Sequence, residues 1–391
     1  MTLGYLVPEF PGQTHAFFWR EIAAIEAAGR PVRLYSTRRP APGSCPHAFA
    51  DAATRRTTYL FPPRLGPTAL RLLAPPGRAG RALAYLAGLD QTGAMGRAKL
   101  MALLPSAAML VADARRHGVT HLHIHSCANA AHLGALAWIL GDLPYSLTLH
   151  GDLPVYGTDH AAKMKHARFV AAVTRPLAQQ IADVSPATDA PVIWMGVDCA
   201  RFAPRPHPAN PSLTVATVAR LNPVKGHRFF LQAMAQLRDQ GLQVDYHIAG
   251  DGSEGPAIQA EIARLGLKGQ VHMLGALDED GVLALLHRVD ALALTSIGQG
   301  EAAPVTVMEA MSCGLPVICS RIGGTPDMIT DGTDGFLVDQ QDVGAIANRL
   351  TRLARDPDLA ARMGQAARAS AESLFDSHAN ARKLLARIDE G

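Results

Sequence analysis

"LTVATVARLNPVKGHRFFLQAMAQLRDQGLQVDYHIAG", residues 213–250, carries the pattern on which the fold turns. "LTVATVA" is a near-continuous apolar run that reads as a strand, residues 227–238 read as a helix, and "QVDYHIAG" reads as a second strand. The pattern repeats downstream. Strands "QVHMLG", "DALALT", "PVICS" and "GFLV" are separated by helices predicted at 255–265, 279–288, 305–312 and 342–354. Apolar strands alternating with helices mean a parallel sheet covered on both faces.

Upstream the same grammar holds. "TLGYLV" is a buried run, "PEFPGQT" a turn-rich loop, and "AFFWREIAAIEAAG" a helix with Phe18, Ile22 and Ile25 on one stripe and Gly29 at its stop. "PVRLYS", "THLHIHS", "PYSLTLHG" and "RFVAAVT" read as further strands, with the helix "ANAAHLGALAWIL" between the second and third. Proline density rises and periodicity vanishes over 191–211, which sets a linker at 194–211. The predicted architecture is therefore α/β: two facing Rossmann-like domains, 1–193 and 212–374, each with a parallel sheet. A last helix at about 377–388, within 375–391, is expected to pack back on the first domain. Parallel sheets bind ligands outside the carboxyl ends of their strands, so facing domains place the ligand in the interdomain cleft.

The chain's 391 residues suit two domains, and 48% hydrophobic with 18% charged residues supplies two cores. Five scattered cysteines, with no CxxC pair, argue for a reducing cytoplasm rather than a disulfide framework. "MTLGYLVPEFPG" lacks a basic leader and breaks at Pro8 and Pro11, unlike a signal peptide, and no run of 18 apolar residues is expected to span a bilayer. The net charge of +3 is too small to suggest nucleic acid. It is unevenly spread, however: residues 54–116 hold ten Arg or Lys against two Asp. The plain reading is a set of solvated helices; the sharper one is a face resting on anionic lipid or an anionic acceptor.

Three motifs have dull explanations. Gly250, Gly252 and Gly255 of "GDGSEG" match a dinucleotide fingerprint, but Asp251 and Glu254 would repel a pyrophosphate, and the glycines read as a tight turn approaching another ligand. His121, His123 and His125 share one face of a strand. With no nearby carboxylate to complete a shell, they are not expected to hold a metal, and His125 is the one expected to look toward the ligand. "LDEDGVL" could be a carboxylate pair for manganese, but reads better as a helix start capped at Asp278.

Two stretches resist such explanations. Arg220 and Lys225 lie at a strand's carboxyl end just before a helix, a place where anions bind. In "GQGEAAPVTVMEAMSCGLPVICS", residues 298–320, Pro304 suits a first helical turn, leaving the amides of Ala302, Ala303, Val305 and Thr306 free for a phosphate. Glu301 and Glu309 flank those amides, in a run with no basic residue. Neither helps to bind phosphate, but both accept hydrogen bonds from hydroxyls. A diphosphate with hydroxyls at both ends describes a nucleotide sugar.

These residues resemble the retaining glycosyltransferases of family 4, of the GT-B fold, and exopolysaccharide-type members in particular. The resemblance is densest through "MGVDCARFAP", "ARLNPVKGHR", "AGDGSE", "VHMLGAL" and "GEAAPVTVMEAMSCGLPVICSRIGGTPDMITDGTDGFLV". It implies that Arg220 and Lys225 hold the donor diphosphate, Glu309 the ribose and Glu301 the transferred sugar. It likewise places the base at the Met273 backbone, the nucleotide near Gly250, and Gly12 beside the phosphates. "TLHGD" is similar to the family's histidine–glycine turn, which sets His150 against the donor sugar. Relatives carry Ser-Glu-Thr where this chain has Gln13-Thr14-His15, and often glycine at the position of Ala303. The implied activity is retaining, metal-independent hexosyl transfer from a UDP- or GDP-sugar, without a cofactor, to a lipid-linked saccharide, a glycolipid or diacylglycerol, or a small molecule. The implied setting is cytoplasmic and peripheral on the inner face of the cell membrane. A nucleotide-sugar 2-epimerase of the same fold and a non-catalytic nucleotide-sugar binder are the alternatives.

Overall fold

In the computed structural model the described residues are 1–12, 15–206, 210–298 and 301–390. They separate into two compact units, Met1–Trp194 with His378–Gly391, and Met195–Ser377. The first holds β1 (Thr2–Glu9), β2 (Val32–Arg38), β3 (Thr57–Tyr59), β4 (Val119–Ile124), β5 (Tyr145–Leu149) and β6 (Ala167–Ala172). All are parallel, in the order β3-β2-β1-β4-β5-β6.

The second unit holds β7 (Leu213–Val218), β8 (Val244–Ala249), β9 (Val271–Gly275), β10 (Ala291–Leu294), β11 (Val317–Ser320) and β12 (Phe336–Val338), again parallel, in the order β12-β11-β10-β7-β8-β9. Each sheet thus has the doubly wound order, which reverses between β1 and β4 in one unit and between β7 and β10 in the other. At such a reversal the loops leaving neighbouring strands diverge and open a crevice at their carboxyl ends.

Between β7 and β8 the helix His227–Asp239 buries Phe230, Leu231, Ala233, Met234 and Leu237 against the sheet and against the helix Val343–Arg355. The first unit's core joins Leu3, Tyr5, Val7, Ile22 and Ile25 to Ala381, Leu384, Leu385 and Ile388 of the final helix, Ser377–Asp389. Ion pairs at 2.8 Å from Arg30 to Asp389 and from Arg387 to Asp189 hold that helix in place.

The basic region is helical, as its plain reading had it. It folds as helices Ala50–Arg56, Pro67–Leu73, Pro76–Ala87, Ala94–Met101 and Leu103–Arg116, two of them opening with a proline that wastes no amide. Ala94–Arg116 is, by length and composition, apolar enough to cross a membrane, where no such stretch was expected. Arg97 and Lys99 interrupt the apolar run without lowering its average enough to exclude it. Leu103–Arg116 nevertheless packs on Pro67–Leu73 and on the helix Asn129–Gly141, burying Ala107, Ala108, Leu110 and Val111.

The proline-dense stretch after residue 194 is likewise more than a tether. Val197 exchanges backbone bonds with Phe375 and Ser377 at 2.8 and 2.9 Å, and Phe202 is fully buried. The Arg368 guanidinium donates to the carbonyls of Cys199, Phe202 and Ser312, fixing this segment to the second unit. His207, Pro208 and Ala209 of the expected linker lie outside the described residues.

Candidate active site

At the reversal of the second sheet, the loops after β7 and β10 are stitched together. The Ile297 amide donates to the Val224 carbonyl at 2.7 Å, and the Thr295 hydroxyl to the Gly226 carbonyl at 3.2 Å. Residues Pro223–Lys225 form a single tight turn between them. This brings the Lys225 ammonium into contact with Glu301 Oε1, which also accepts from the Ser296 hydroxyl at 3.2 Å. Glu301 is buried, so its carboxylate needs such partners. The basic residue missing from 298–320 is supplied from 76 positions upstream.

Burial pushes the Lys225 ammonium down to about 8, and the Arg220 charge pushes the same way. The Glu301 carboxylate in contact opposes both, and the ammonium is charged at neutral pH. Arg220 itself is exposed.

Behind Glu301 lies a residue the motif reading missed. Gly323 has φ +53°, and a Cβ there would sit 1.4 Å from the Glu301 carbonyl oxygen. The next amide, of Gly324, donates to Ala302 O at 2.7 Å. The double glycine in "RIGGTPD" was the available signal: backbone must approach backbone here, and a side chain would intervene. Helix Val305–Ser312 starts where expected, with Pro304 at the capping position rather than within the first turn, and it buries Glu309. Among the described residues, the amides of Ala302, Ala303, Val305 and Thr306 donate to no backbone carbonyl outside regular elements.

Other expected positions take more modest places. Gly250 has φ +147°, and a Cβ would fall 1.8 Å from the Ala219 carbonyl. The close approach expected toward a ligand is thus to the strand end that carries Arg220, and the Leu221 amide completes it by bonding Asp251 O at 2.8 Å. Met273 lies on the edge strand β9, its side chain packed against the core. Asp278 accepts from the Gly281 amide at 2.8 Å and caps its helix, while Glu279 and Asp280 pair with Arg201, so the capping reading of "LDEDGVL" holds.

In the first unit, Gly12 lies against His15, whose ring atoms would be 2.8 Å from a Cβ. Gln13 and Thr14 are outside the described residues. His150 follows β5: its amide donates to the Tyr156 hydroxyl at 2.8 Å, and its ring packs against Phe17 and Phe18. Burial lowers its imidazole to about 3, so it is neutral at pH 7.

His121 and His123 share the Ser146 hydroxyl at 2.8 Å, and His123 also meets Thr148 at 2.8 Å. The expectation that no carboxylate lies near these histidines fails. Glu21, on the helix Ala16–Ala27, comes within 4.8 Å of ligand atoms of His123 and His125. The signal was a carboxylate three residues from Phe18, on the apolar stripe itself.

Over the whole chain, the UDP complex of Alr3699/HepE from Anabaena superposes with a TM-score of 0.75 at 19% identity, covering 100% of both chains. Two doubly wound parallel units of this kind are the GT-B fold. Residues 202–370 match the family Glycosyl transferases group 1, and the second unit is a domain of that family.

WcaL of Escherichia coli (strain K12), named for colanic acid biosynthesis, is 35% identical over 197 residues, 49% of this chain and 48% of WcaL. The amylovoran biosynthesis glycosyltransferase AmsK of Erwinia amylovora is 32% identical over 204 residues, 51% of this chain and 50% of AmsK. The chain therefore spans about half the length of these curated relatives.

Proposed function

We propose that the chain is a retaining glycosyltransferase that moves a hexose from a UDP- or GDP-sugar to a hydroxyl of a lipid-linked saccharide, a glycolipid or a small molecule. The observation that carries this reading is the contact of Lys225 with Glu301 beside the open amides of helix Val305–Ser312, at the reversal of a doubly wound sheet. Diphosphate meets Arg220, Lys225 and the amides of Ala302, Ala303, Val305 and Thr306. Glu309 takes the ribose and Glu301 the sugar, with Gly250 and the Met273 backbone bordering the nucleotide; for the first unit, the resemblance gives His150 a sugar contact and Gly12 a place beside phosphate.

Breaking the bond from the anomeric carbon to phosphate leaves charge on the diphosphate. In this reading two side-chain cations and preset amides, rather than a metal ion, stabilise it. A relative solved with UDP and relatives named for exopolysaccharide biosynthesis support the donor and the acceptor class.

A thermal-shift screen across nucleotide sugars tests the donor. Compounds of one base should raise Tm, and Glu309→Ala should remove most of that rise while keeping the response to inorganic pyrophosphate. Equal responses of wild type and variant would refute the ribose role. Donor turnover without a saccharide product would point to epimerisation instead.

The reading extends to a membrane surface. Phe61, Leu65, Leu70, Leu83, Met95 and Met101 make up half of the large apolar side chains exposed among the described residues. Exposed Arg55, Arg56, Arg64, Arg71, Arg81 and Lys99 are interleaved with them. Apolar groups between cations suit the headgroup layer of an anionic bilayer on the cytoplasmic side. Vesicles containing anionic lipid should bind the protein, less so as salt rises, and Leu70→Asp with Met95→Asp should reduce binding about tenfold. Indifference to lipid charge would remove the idea.

A further inference from the structure

Among the described residues, four buried polar atoms around His125 have no hydrogen-bond partner within bonding distance: Tyr5 Oη, Glu21 Oε1, His125 Nε2 and His150 Nδ1. They lie along one path, at the reversal of the first sheet. Tyr5 on β1 faces Glu21. Glu21 Oε1 is 3.6 Å from His125 Nε2. His125 Nδ1 is 3.0 Å from His150 Nε2.

A metal ion is one chemistry for Glu21, His123 and His125, but both nitrogens of His123 already engage hydroxyls at 2.8 Å. That leaves two ligands, too few for a protein-held ion. Proton order is the better account.

We propose that Glu21 and His125 are positioning residues that set the tautomer of His150, presenting its Nδ1–H to the ligand while Glu21 is protonated. The proposal rests on the reading of His150 as a donor-sugar contact.

Tyr5 is fully buried, and among the described residues Glu21 is the acceptor its hydroxyl faces. A protonated Glu21 then accepts from Tyr5 on one oxygen and, after a small closing movement, donates from the other to His125 Nε2. His125 is neutral, so its single N–H is on Nδ1 and donates to His150 Nε2. His150 in turn carries its proton on Nδ1, the atom left without a partner. Every donor in the chain points the same way.

If Glu21 loses its proton to solvent, the order inverts. His125 now donates from Nε2 to the carboxylate, His150 donates from Nε2 to His125 Nδ1, and His150 Nδ1 becomes a bare acceptor. One proton has left and each ring still holds one.

The surroundings favour the first state at neutral pH. Burial pushes the Glu21 carboxyl up to about 8, and no cation offsets it. The titratable groups facing the path are Tyr5 from β1, His15 from the start of the first helix, His123 from β4, and Tyr156 beyond β5. Burial holds His15 and His123 neutral and raises both tyrosines, so Glu21 alone titrates near physiological pH.

The test is a long-range ¹H–¹⁵N correlation spectrum of full-length protein labelled at histidine, with His150 assigned by its loss in His150→Gln. At pH 6.5 wild type should show the Nδ1–H pattern, and at pH 9.5 the Nε2–H pattern. Glu21→Gln, whose amide can donate to His125 and accept from Tyr5, should hold Nδ1–H at both. An Nε2–H pattern at pH 6.5, or the same pH change in Glu21→Gln, would overturn the relay.

The spectrum needs no sugar, so it separates two failures. A Glu21-dependent tautomer without transfer activity would sustain the relay and refute the donor-site reading. With activity, both proteins should lose kcat from pH 7 to 9.5 as Lys225 loses its charge, and the fall should be about tenfold deeper in wild type than in Glu21→Gln; parallel profiles would count against the relay.

Discussion

Lys225→Ala is expected to lower sugar transfer by about 100-fold or more, with most of the loss in kcat. The magnitude follows from removing one preset cation from a developing charge, a loss of about 3–4 kcal/mol in comparable sites. The structure adds a complication. Lys225 also neutralises Glu301, and its removal strands a carboxylate whose side chain is only 10% exposed. Part of any loss could then come from a displaced Glu301 rather than from the diphosphate.

The double variant Lys225→Ala/Glu301→Ala separates the two effects. It should recover the thermal stability lost in the single variant, because no buried charge is left unpaired, yet recover none of the turnover. Initial rates of nucleoside diphosphate release and Tm on all three proteins decide the matter. Single-variant rates within a few-fold of wild type would contradict the assignment.

Gly323→Val should act on the backbone of the same glutamate. The backbone there has φ +53°, which a β-branched residue adopts only with strain, and any Cβ overlaps the Glu301 carbonyl. The neighbour is main chain, held by the bond from Gly324 to Ala302, so it has no rotamer to escape into. Strain and overpacking should each cost about 1–3 kcal/mol. A drop in Tm of several degrees is expected, together with at least a tenfold loss of transfer as Glu301 leaves its place. Gly332→Ala has the same backbone hand, φ +80°, but open space around its Cβ, and makes the control. Equal effects of the two variants would mean that strain alone matters and that the contact with Glu301 does not.

Much of the fold could be read from the chain because buried parallel strands leave apolar runs that helices punctuate. "LTVATVA", "QVDYHIAG" and the helix at 305–312 fall where periodicity and a single proline put them. The basic region was read as solvated helices but without their bounds, which only two of the five mark with an opening proline.

The site was legible as residue types at the ends of strands, which is where doubly wound sheets gather ligands. Its pairings were not. Contact between Lys225 and Glu301 is set by which strands lie side by side, and β7 next to β10 is not written in either segment. Gly323 and Glu21 escaped for a related reason: each matters for what it touches across the sheet order, not for what precedes or follows it.

The final helix has a consequence for synthesis. Ala381, Leu384, Leu385 and Ile388 complete a core whose other members were translated some 190 to 380 residues earlier. As the polypeptide leaves the ribosome, the N-terminal body waits with an apolar groove open until the last turns emerge. The intervening body, contiguous in the chain, has all its own strands in hand well before then. The second unit can therefore close its core before the first, whose apolar groove stays open until the helix Ser377–Asp389 is made.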